Sequence, residues 1–317
     1  MKPISRREFG ALVAAGMVSG RFATSHAHGQ TPAAAVTAAE ILERIRRNVG
    51  VDWRSETVDG VKAGDGSTVV TGVVTTAMAT LEVLRKASAA GANLVVTSEP
   101  TFYGRADART PAPRRGPGQG AAGAAPLAAS PPPPDPVYEA KNAFIDGQGL
   151  VVIRFNDHWR ARRPDPFVQG LADSMGWNGR EVAASQASYD VPELRLDELV
   201  RELKGKLGAR GGIRVVGDPR NRVRRVALLP GSTPITASLA ALPGADVIVA
   251  GEVREWESVE YARDVVFSGQ PKGLVLLGRV VSEDPGMARC ARWLESLVPE
   301  VPVRHIAAGD PYWRPAS

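Results

Sequence analysis

Two stretches of this 317-residue chain repeat each other, and both end on a glutamate. The first runs Gly91-Ala92-Asn93-Leu94-Val95-Val96-Thr97-Ser98-Glu99. The second runs Gly244-Ala245-Asp246-Val247-Ile248-Val249-Ala250-Gly251-Glu252. Each is a Gly-Ala-Asx turn, three apolar β-formers, two small residues and a carboxylate. A short unbroken apolar run opened by turn residues predicts a strand covered on both faces, as in a parallel sheet flanked by helices. In open α/β sheets, ligands bind outside the carboxyl ends of the strands. The repeat therefore sets Glu99 and Glu252 at equivalent strand ends.

The flanking sequence alternates in the same way. A strand over 69–74, a helix over 77–89 with Leu81, Leu84 and Ala87 at helical spacing, and a strand over 94–97 make one β-α-β unit, with Gly91 as the helix stop. A strand over 150–155 and helices over 166–177 and 195–207 follow. The second half reads as strand 224–229, helix 234–242, strand 247–250, helix 255–264 and strand 273–277. A helix over 285–297, with Asp284 as N-cap and Pro285 in its first turn, and a strand over 301–306 complete it. This alternation, with its internal duplication, implies an α/β fold of two related lobes with mixed sheets facing each other. Residues 28–103 form the first α/β half and 137–317 the remainder. Between them, 104–136 is rich in Pro, Ala, Gly and Arg, and that composition predicts a disordered insertion, since it buries too little apolar surface to order itself.

Residues 1–27 read as an address. Ser5-Arg6-Arg7-Glu8-Phe9 is a twin-arginine pattern, an apolar run follows, and Ser25-His26-Ala27 fits a small-x-small cleavage site. The run is too short to span a bilayer, so a periplasmic or secreted product with no membrane attachment after cleavage is expected. Cys290 is the only cysteine, which rules out an intrachain disulfide. The net charge of +5 is mostly peripheral: the leader carries Lys2, Arg6, Arg7 and Arg21 against Glu8, a net +3, which leaves +2. Residues 104–136 carry Arg105, Arg109, Arg114 and Arg115 against Asp107 and Asp135, so the rest is neutral. A neutral body argues against nucleic acid, which needs a basic face.

Polar groups gather at the expected strand ends: Ser98 and Glu99, Asp157 and His158 with Asp165 nearby, Glu252 and Glu255, and Glu283. Carboxylates with one imidazole are the donor set of a divalent-cation site, and they also position water for hydrolysis. Each has a structural reading as well. Glu252 would accept backbone donors at the next helix, Glu283 would serve a helix N-terminus, and His158 beside Trp159 would be a packed histidine. Asp310-Pro311-Tyr312-Trp313 reads as a tail docked onto the body. Cys290 shares a helical face with Met287, Leu294 and Leu297, as an inert core thiol does. The one GxGxxG, Gly118 to Gly123, lies in the Pro/Ala/Gly-rich stretch and not between a strand and a helix, and a P-loop, CxxC and HExxH are absent, which disfavours nucleotide-cofactor enzymes.

The run Thr71 to Thr76, the helix after it and the sequence ending Thr97-Ser98-Glu99-Pro100 resemble the Nif-three-like family of dinuclear metal centre hexameric proteins, the GTP cyclohydrolase I type 2 homologues. The second glutamate strand and Leu277-Gly278-Arg279-Val280-Val281-Ser282-Glu283 agree with it. The resemblance spans about residues 39–313 apart from the insertion. Its motifs are short, and their order and spacing carry the match. Family members carry Thr-His-His-Pro where this chain has Thr97 to Pro100. A subgroup reads Thr-His-Glu-Pro followed by Thr-Phe-Tyr, matching Thr101-Phe102-Tyr103. A late Gly-His with a Glu four residues on corresponds to Gly278-Arg279 and Glu283, and a middle aspartate falls between Asp157 and Asp165.

Two ligand histidines of that pattern are therefore Ser98 and Arg279 here, and Asn156 and Arg160 also stand where relatives have histidine. Beyond the leader only His28, His158 and His305 remain. The resemblance implies a two-lobed α/β protein, a homo-oligomer, acting on a small molecule as a divalent-metal-dependent hydrolase. Glu99, Asp157, His158, Asp165, Glu252 and Glu283 would be the metal ligands, and Glu252 or Glu255 the general base. The missing imidazoles imply at most one metal. The alternative is a non-catalytic relative whose cleft, with Ser98 and Arg279, holds an anionic ligand or a partner chain; a guanidinium beside Glu283 would then replace a metal charge.

Overall fold

A computed structural model describes residues 35–109, 135–183 and 185–313. The twin-arginine leader lies outside the described residues, and so do 110–134 of the insertion. The elements run α1 (Ala38–Asn48), β1 (Gly60–Ala63), β2 (Val73–Thr76), α2 (Leu81–Ala89), β3 (Leu94–Thr97), α3 (Pro136–Gly147), β4 (Val151–Arg154), α4 (Asp157–Ala161) and α5 (Pro166–Met175). Next come β5 (Glu181–Val182), β6 (Ser185–Arg195), α6 (Leu196–Leu207), β7 (Arg214–Val216), β8 (Arg222–Ser232), α7 (Ile235–Ala241) and β9 (Val247–Glu252). A π-helical turn at Glu255–Val259 leads into α8 (Glu260–Phe267), then β10 (Gly273–Leu276), α9 (Arg279–Leu297) and β11 (Val303–His305). The fold is mixed α/β with two mixed sheets, as the alternation predicts.

The first sheet has the order β1-β4-β3-β2-β11 and the second β5-β6-β8-β9-β10-β7. In each, the central strands are parallel and an antiparallel strand closes an edge. The parallel strands are buried on both faces, which is why they read as unbroken apolar runs. In β3, Leu94 and Val96 face one core while Val95 faces another. The outer face of the first sheet is covered by α2 and α3 through Leu84, Ala87 and Ile145. That of the second is covered through Leu242 and Ala262.

The inner faces share one helical layer. Met287, Cys290 and Leu294 of α9 and Phe167 of α5 belong to the first sheet's core. Val281 of α9 and Val168, Leu171 and Met175 of α5 belong to the second sheet's core. The two helices cross at backbone contact. A Cβ on Gly170 would lie 2.5 Å from the backbone of Pro285 and Gly286, and one on Gly286 would lie 2.4 Å from the Phe167 ring.

Local chemistry sets the boundaries. Thr37 and Glu40 form a capping box at α1. Asp135 and Asp165 cap α3 and α5, each followed by a proline in the first turn. Gly176 and Gly208, both left-handed, end α5 and α6. Asp284 is not an N-cap: α9 starts at Arg279 after Gly278, so Asp284 and Pro285 lie inside it. The first sheet holds Pro285 in place by other means. Asp284 Oδ1 accepts from Ala77 N at 3.0 Å and its Oδ2 from Ala308 N at 3.0 Å, pinning α9 to the ends of β2 and β11. No helix among the described residues is long and apolar enough to cross a membrane.

Candidate functional site

The two matched glutamates come from different sheets and meet on one guanidinium. Glu99 follows β3 and Glu252 ends β9. Arg279, the first residue of α9, places Nε 2.9 Å from Glu99 Oε1 and Nη1 3.1 Å from Glu252 Oε1. Glu283 lies one turn further along α9, at 1% exposure. Its Oε1 accepts from Arg160 Nη2 at 2.6 Å, and its Oε2 lies 3.0 Å from Ser98 Oγ. Arg160 also approaches Asp165 Oδ2 at 3.5 Å and stacks on the Phe167 ring, with Cζ 4.2 Å from its centroid. The result is two acid–arginine–acid triads, Glu252–Arg279–Glu99 and Glu283–Arg160–Asp165, that meet where Glu99 lies beside Glu283.

Burial makes this chain chemically unusual. Burial raises the Glu283 carboxyl well above the usual range, and the Glu99 carboxylate beside it adds to the effect, against Arg160 and Arg279. Ser98 Oγ also lies 3.0 Å from the Ala77 carbonyl, which can only accept. The single hydroxyl proton serves one oxygen at a time, so a protonated Glu283 completes the bonding by donating to Ser98. Burial also raises Asp165. For Arg279, burial alone would lower the guanidinium, but Glu99, Glu283 and Glu252 outweigh it and raise it. Glu99 Oε1 and Arg279 Nε, though close, are misaligned for a hydrogen bond, and both atoms are buried without one.

Glycines let the chains pass this close. Gly231, at φ +85°, would carry a Cβ 2.4 Å from Glu283 Oε1. Gly251, the repeat's counterpart of Ser98, would carry one 2.3 Å from the Gly231 carbonyl oxygen and 2.5 Å from Ser282 Oγ. The cleft in front of the network has a volume of about 770 Å³ and is walled by Glu99, Glu252, Arg279, Leu277, Tyr312 and Trp313. Asp310 holds the tail by accepting from Gly211 N at 3.1 Å. Tyr312 and Trp313 themselves stay 66% and 78% exposed. The tail is docked, as expected, but its rings form a cleft wall and are not packed into the body.

The expected site residues therefore divide. Ser98, Glu99, Glu252, Arg279 and Glu283 converge, and Asp165 joins them through Arg160. Asp157 and His158 do not. His158 Nδ1 lies 2.7 Å from Asp59 Oδ2, and Nε2 accepts from Arg54 N at 2.9 Å, so both ring nitrogens are committed and Nδ1 carries the proton. The ring stacks on Trp53 at 3.9 Å. Asp157 accepts from Thr57 Oγ1 and Val58 N. These two residues, with Asp59 accepting from the backbone of Asn156 and His158, fix the start of α4. Glu255 is exposed and paired to Arg214 at the rim, away from the buried carboxylates. His305 lies beside Thr75 and Asp284. The partner that claims His158 is about a hundred positions away in sequence, and no local signal announces it. Arg160 is the residue a site list built on carboxylates and histidines misses; its place at an expected histidine is the only signal for it.

The donor set does not fit a metal centre. Among the described residues no group of three or more His, Cys, Asp or Glu is placed to hold an ion. Two guanidiniums stand among the carboxylates that would have been ligands, each a fixed positive charge where a cation would sit.

Residues 167–309 match the model of the family described as Duf34/NIF3 (NGG1p interacting factor 3). Among solved structures, the chain is similar to the Staphylococcus aureus hypothetical protein SA1388, with a TM-score of 0.62 at 18% identity over 89% of this chain and 100% of that one. A Bacillus cereus protein related to NIF3 gives 0.63 at 14% identity over 89% and 100%. Reduced HcgD from Methanocaldococcus jannaschii gives 0.56 at 15% over 85% and 97%. No curated protein sequence matches the chain.

Proposed function

We propose that the chain is an exported, non-catalytic member of the Duf34/NIF3 family whose cleft binds a small polar ligand through Arg279. The observation that carries this reading is the bridging of Glu99 and Glu252 by Arg279. An arginine so placed supplies in fixed form the charge that a cation would bring, and it keeps donors that face the cleft. The cleft's size suits a small organic molecule, and its wall combines apolar and aromatic side chains with a few convergent charges. The buried, unbonded Glu99 Oε1 is a polar atom that a ligand donor would satisfy.

A second reading, a divalent-metal-dependent hydrolase, has one observation in its favour: Glu99, Glu252 and Glu283 do converge. Metal titration separates the two. Calorimetry with Zn²⁺ and Mn²⁺ on the purified chain is expected to give no tight stoichiometric binding. The double variant Ser98→His with Arg279→His removes the guanidinium and supplies two imidazoles, and it is expected to bind Zn²⁺ at least about tenfold more tightly, about 1.4 kcal/mol. Two tightly held metals per wild-type chain would overturn the ligand-cleft reading. An unchanged affinity in the double variant would mean that the carboxylates are not held as a ligand frame.

A further inference from the structure

A second cavity, of about 290 Å³, lies between α4, the start of α5 and the middle of α9 and does not share the cleft's lining. Trp159, Arg162, Arg163, Arg289, Arg292 and Trp293 line it. Four guanidiniums thus face one small space. A single carboxylate, Asp173, pairs with the set: Arg289 Nη1 binds it closely, and Arg292 Nη2 stands 3.6 Å away. Arg162 and Arg163 form no ion pair among the described residues. Asp165, the other acid within range of Arg163, is already paired to Arg160.

The two unpaired arginines are held in place without an anion. Arg163 Nη1 donates to the carbonyl oxygens of Arg160, Ala161 and Arg162 at 3.1, 3.1 and 2.9 Å. The Arg162 guanidinium rests on two indoles, with Cζ 4.9 Å from the Trp159 centroid and 5.3 Å from that of Trp293. Burial, and further the charge of Arg289, disfavour the Arg162 cation. A guanidinium nevertheless keeps its proton at any physiological pH. Four positive charges against one negative leave an excess of three in a pocket with an aromatic floor, where solvent screens charge less than at open surface. Such an excess is relieved by an anion of several charges, and planar guanidinium forks match the oxygens of phosphate.

We propose that this arginine pocket is a second ligand site, separate from the cleft, that takes a phosphate-class oxyanion, free or as the terminal group of a phosphorylated molecule. A monocarboxylate would neutralise too little of the charge. The chain outside this pocket is close to neutral, so the attraction is local and does not reflect a basic body.

The test is calorimetric titration of the full chain with inorganic phosphate and with pyrophosphate, with tryptophan fluorescence as the second readout, since Trp159 and Trp293 frame the pocket. Saturable binding is expected, tighter for pyrophosphate and weakened by salt. Arg162→Gln and Arg292→Gln are each expected to weaken it about tenfold. Arg220→Gln, on a fully separate exposed pair with Asp218, should leave it unchanged. Arg292 is 60% exposed, so its variant has little reason to misfold. Vesicles containing phosphatidic acid distinguish the source: vesicle binding that pyrophosphate displaces, with the same arginine dependence, supports a lipid-borne phosphate. Absence of saturable binding with either soluble probe, or binding indifferent to Arg162 and Arg292, would overturn the proposal.

Discussion

Glu283 is the residue on which the buried network turns, and its replacement by glutamine tests whether a proton sits there. Glu283→Gln keeps the shape and an oxygen for Arg160, and it makes permanent the neutral state that burial favours. A carboxyl whose folded-state pKa lies above its unfolded value binds more protons when folded, so wild-type stability falls as pH rises through that window. Asp284, raised to about 6 by burial, has the same sign, is half ionised at that pH and finishes titrating about one unit higher. Urea midpoints from pH 7 to 8 are therefore expected to decline in the wild type and to stay nearly flat in Glu283→Gln. At neutral pH the variant should be no less stable than the wild type. The same pH dependence in both proteins, with the variant less stable at every pH, would mean that Glu283 is ionised and serves as an anion to Arg160. At this scale the sequence was partly legible. Ser98, Glu99, Glu252, Arg279 and Glu283 are readable because they sit at repeated strand ends or at fixed spacing after one. Asp157 and His158 are misread because their partners, Asp59, Trp53 and Thr57, belong to a distant loop that carries no motif. Composition and spacing say nothing about which imidazole nitrogens will find donors.

The crossing of α5 and α9 is the element-scale feature that sets the cleft, because α9 carries Arg279 and Glu283 and α5 carries the Asp165 cap. Gly170→Ala would press a methyl group into the Pro285–Gly286 backbone, which has no flexible side chain to move aside. The expected loss is about 1–3 kcal/mol in denaturant unfolding. Gly205→Ala in α6 meets no atom within 4 Å and is expected to gain roughly 0.5–1 kcal/mol from helix propensity. Equal effects at both positions would mean that the helices do not pack at backbone contact. The start of α9 was hidden for a related reason. Proline near a run of helix formers signals a first turn, but here Pro285 lies inside the helix, and Arg279-Val280-Val281-Ser282 carries no helical period. The strands were easier. Both faces of β2, β3, β4 and β9 are buried, so their apolar runs are unambiguous. By contrast β6 is edge-proximal, contains Pro192 and shifts register between Asp190 and Leu194, and it leaves no clean alternation to read.

On the scale of the whole molecule, the leader and the body make separable predictions. Arg6→Lys with Arg7→Lys should leave the precursor uncleaved in the cytoplasmic fraction, while the wild type appears in the periplasm or medium. Fractionation with an antibody to the mature chain reads this directly, and unchanged export of the variant would refute a twin-arginine route. The two-lobed α/β class follows from the alternation and the internal duplication, but nothing in the sequence signals that α5 and α9 serve both sheets at once. Nor does it show that the first sheet is completed from far away. β11 pairs in parallel with β2, and Thr75 and His305 meet across 230 positions of sequence. Ala308 is tied back through Asp284 to Ala77 in the same region. A ribosome that has made β1 to β4 has not yet made the strand that closes their sheet. The open edge of β2 must wait for nearly all of the remaining chain, exposed to wrong partners meanwhile. Assembly of this lobe is thus a post-translational event, completed only when the last strand has left the ribosome.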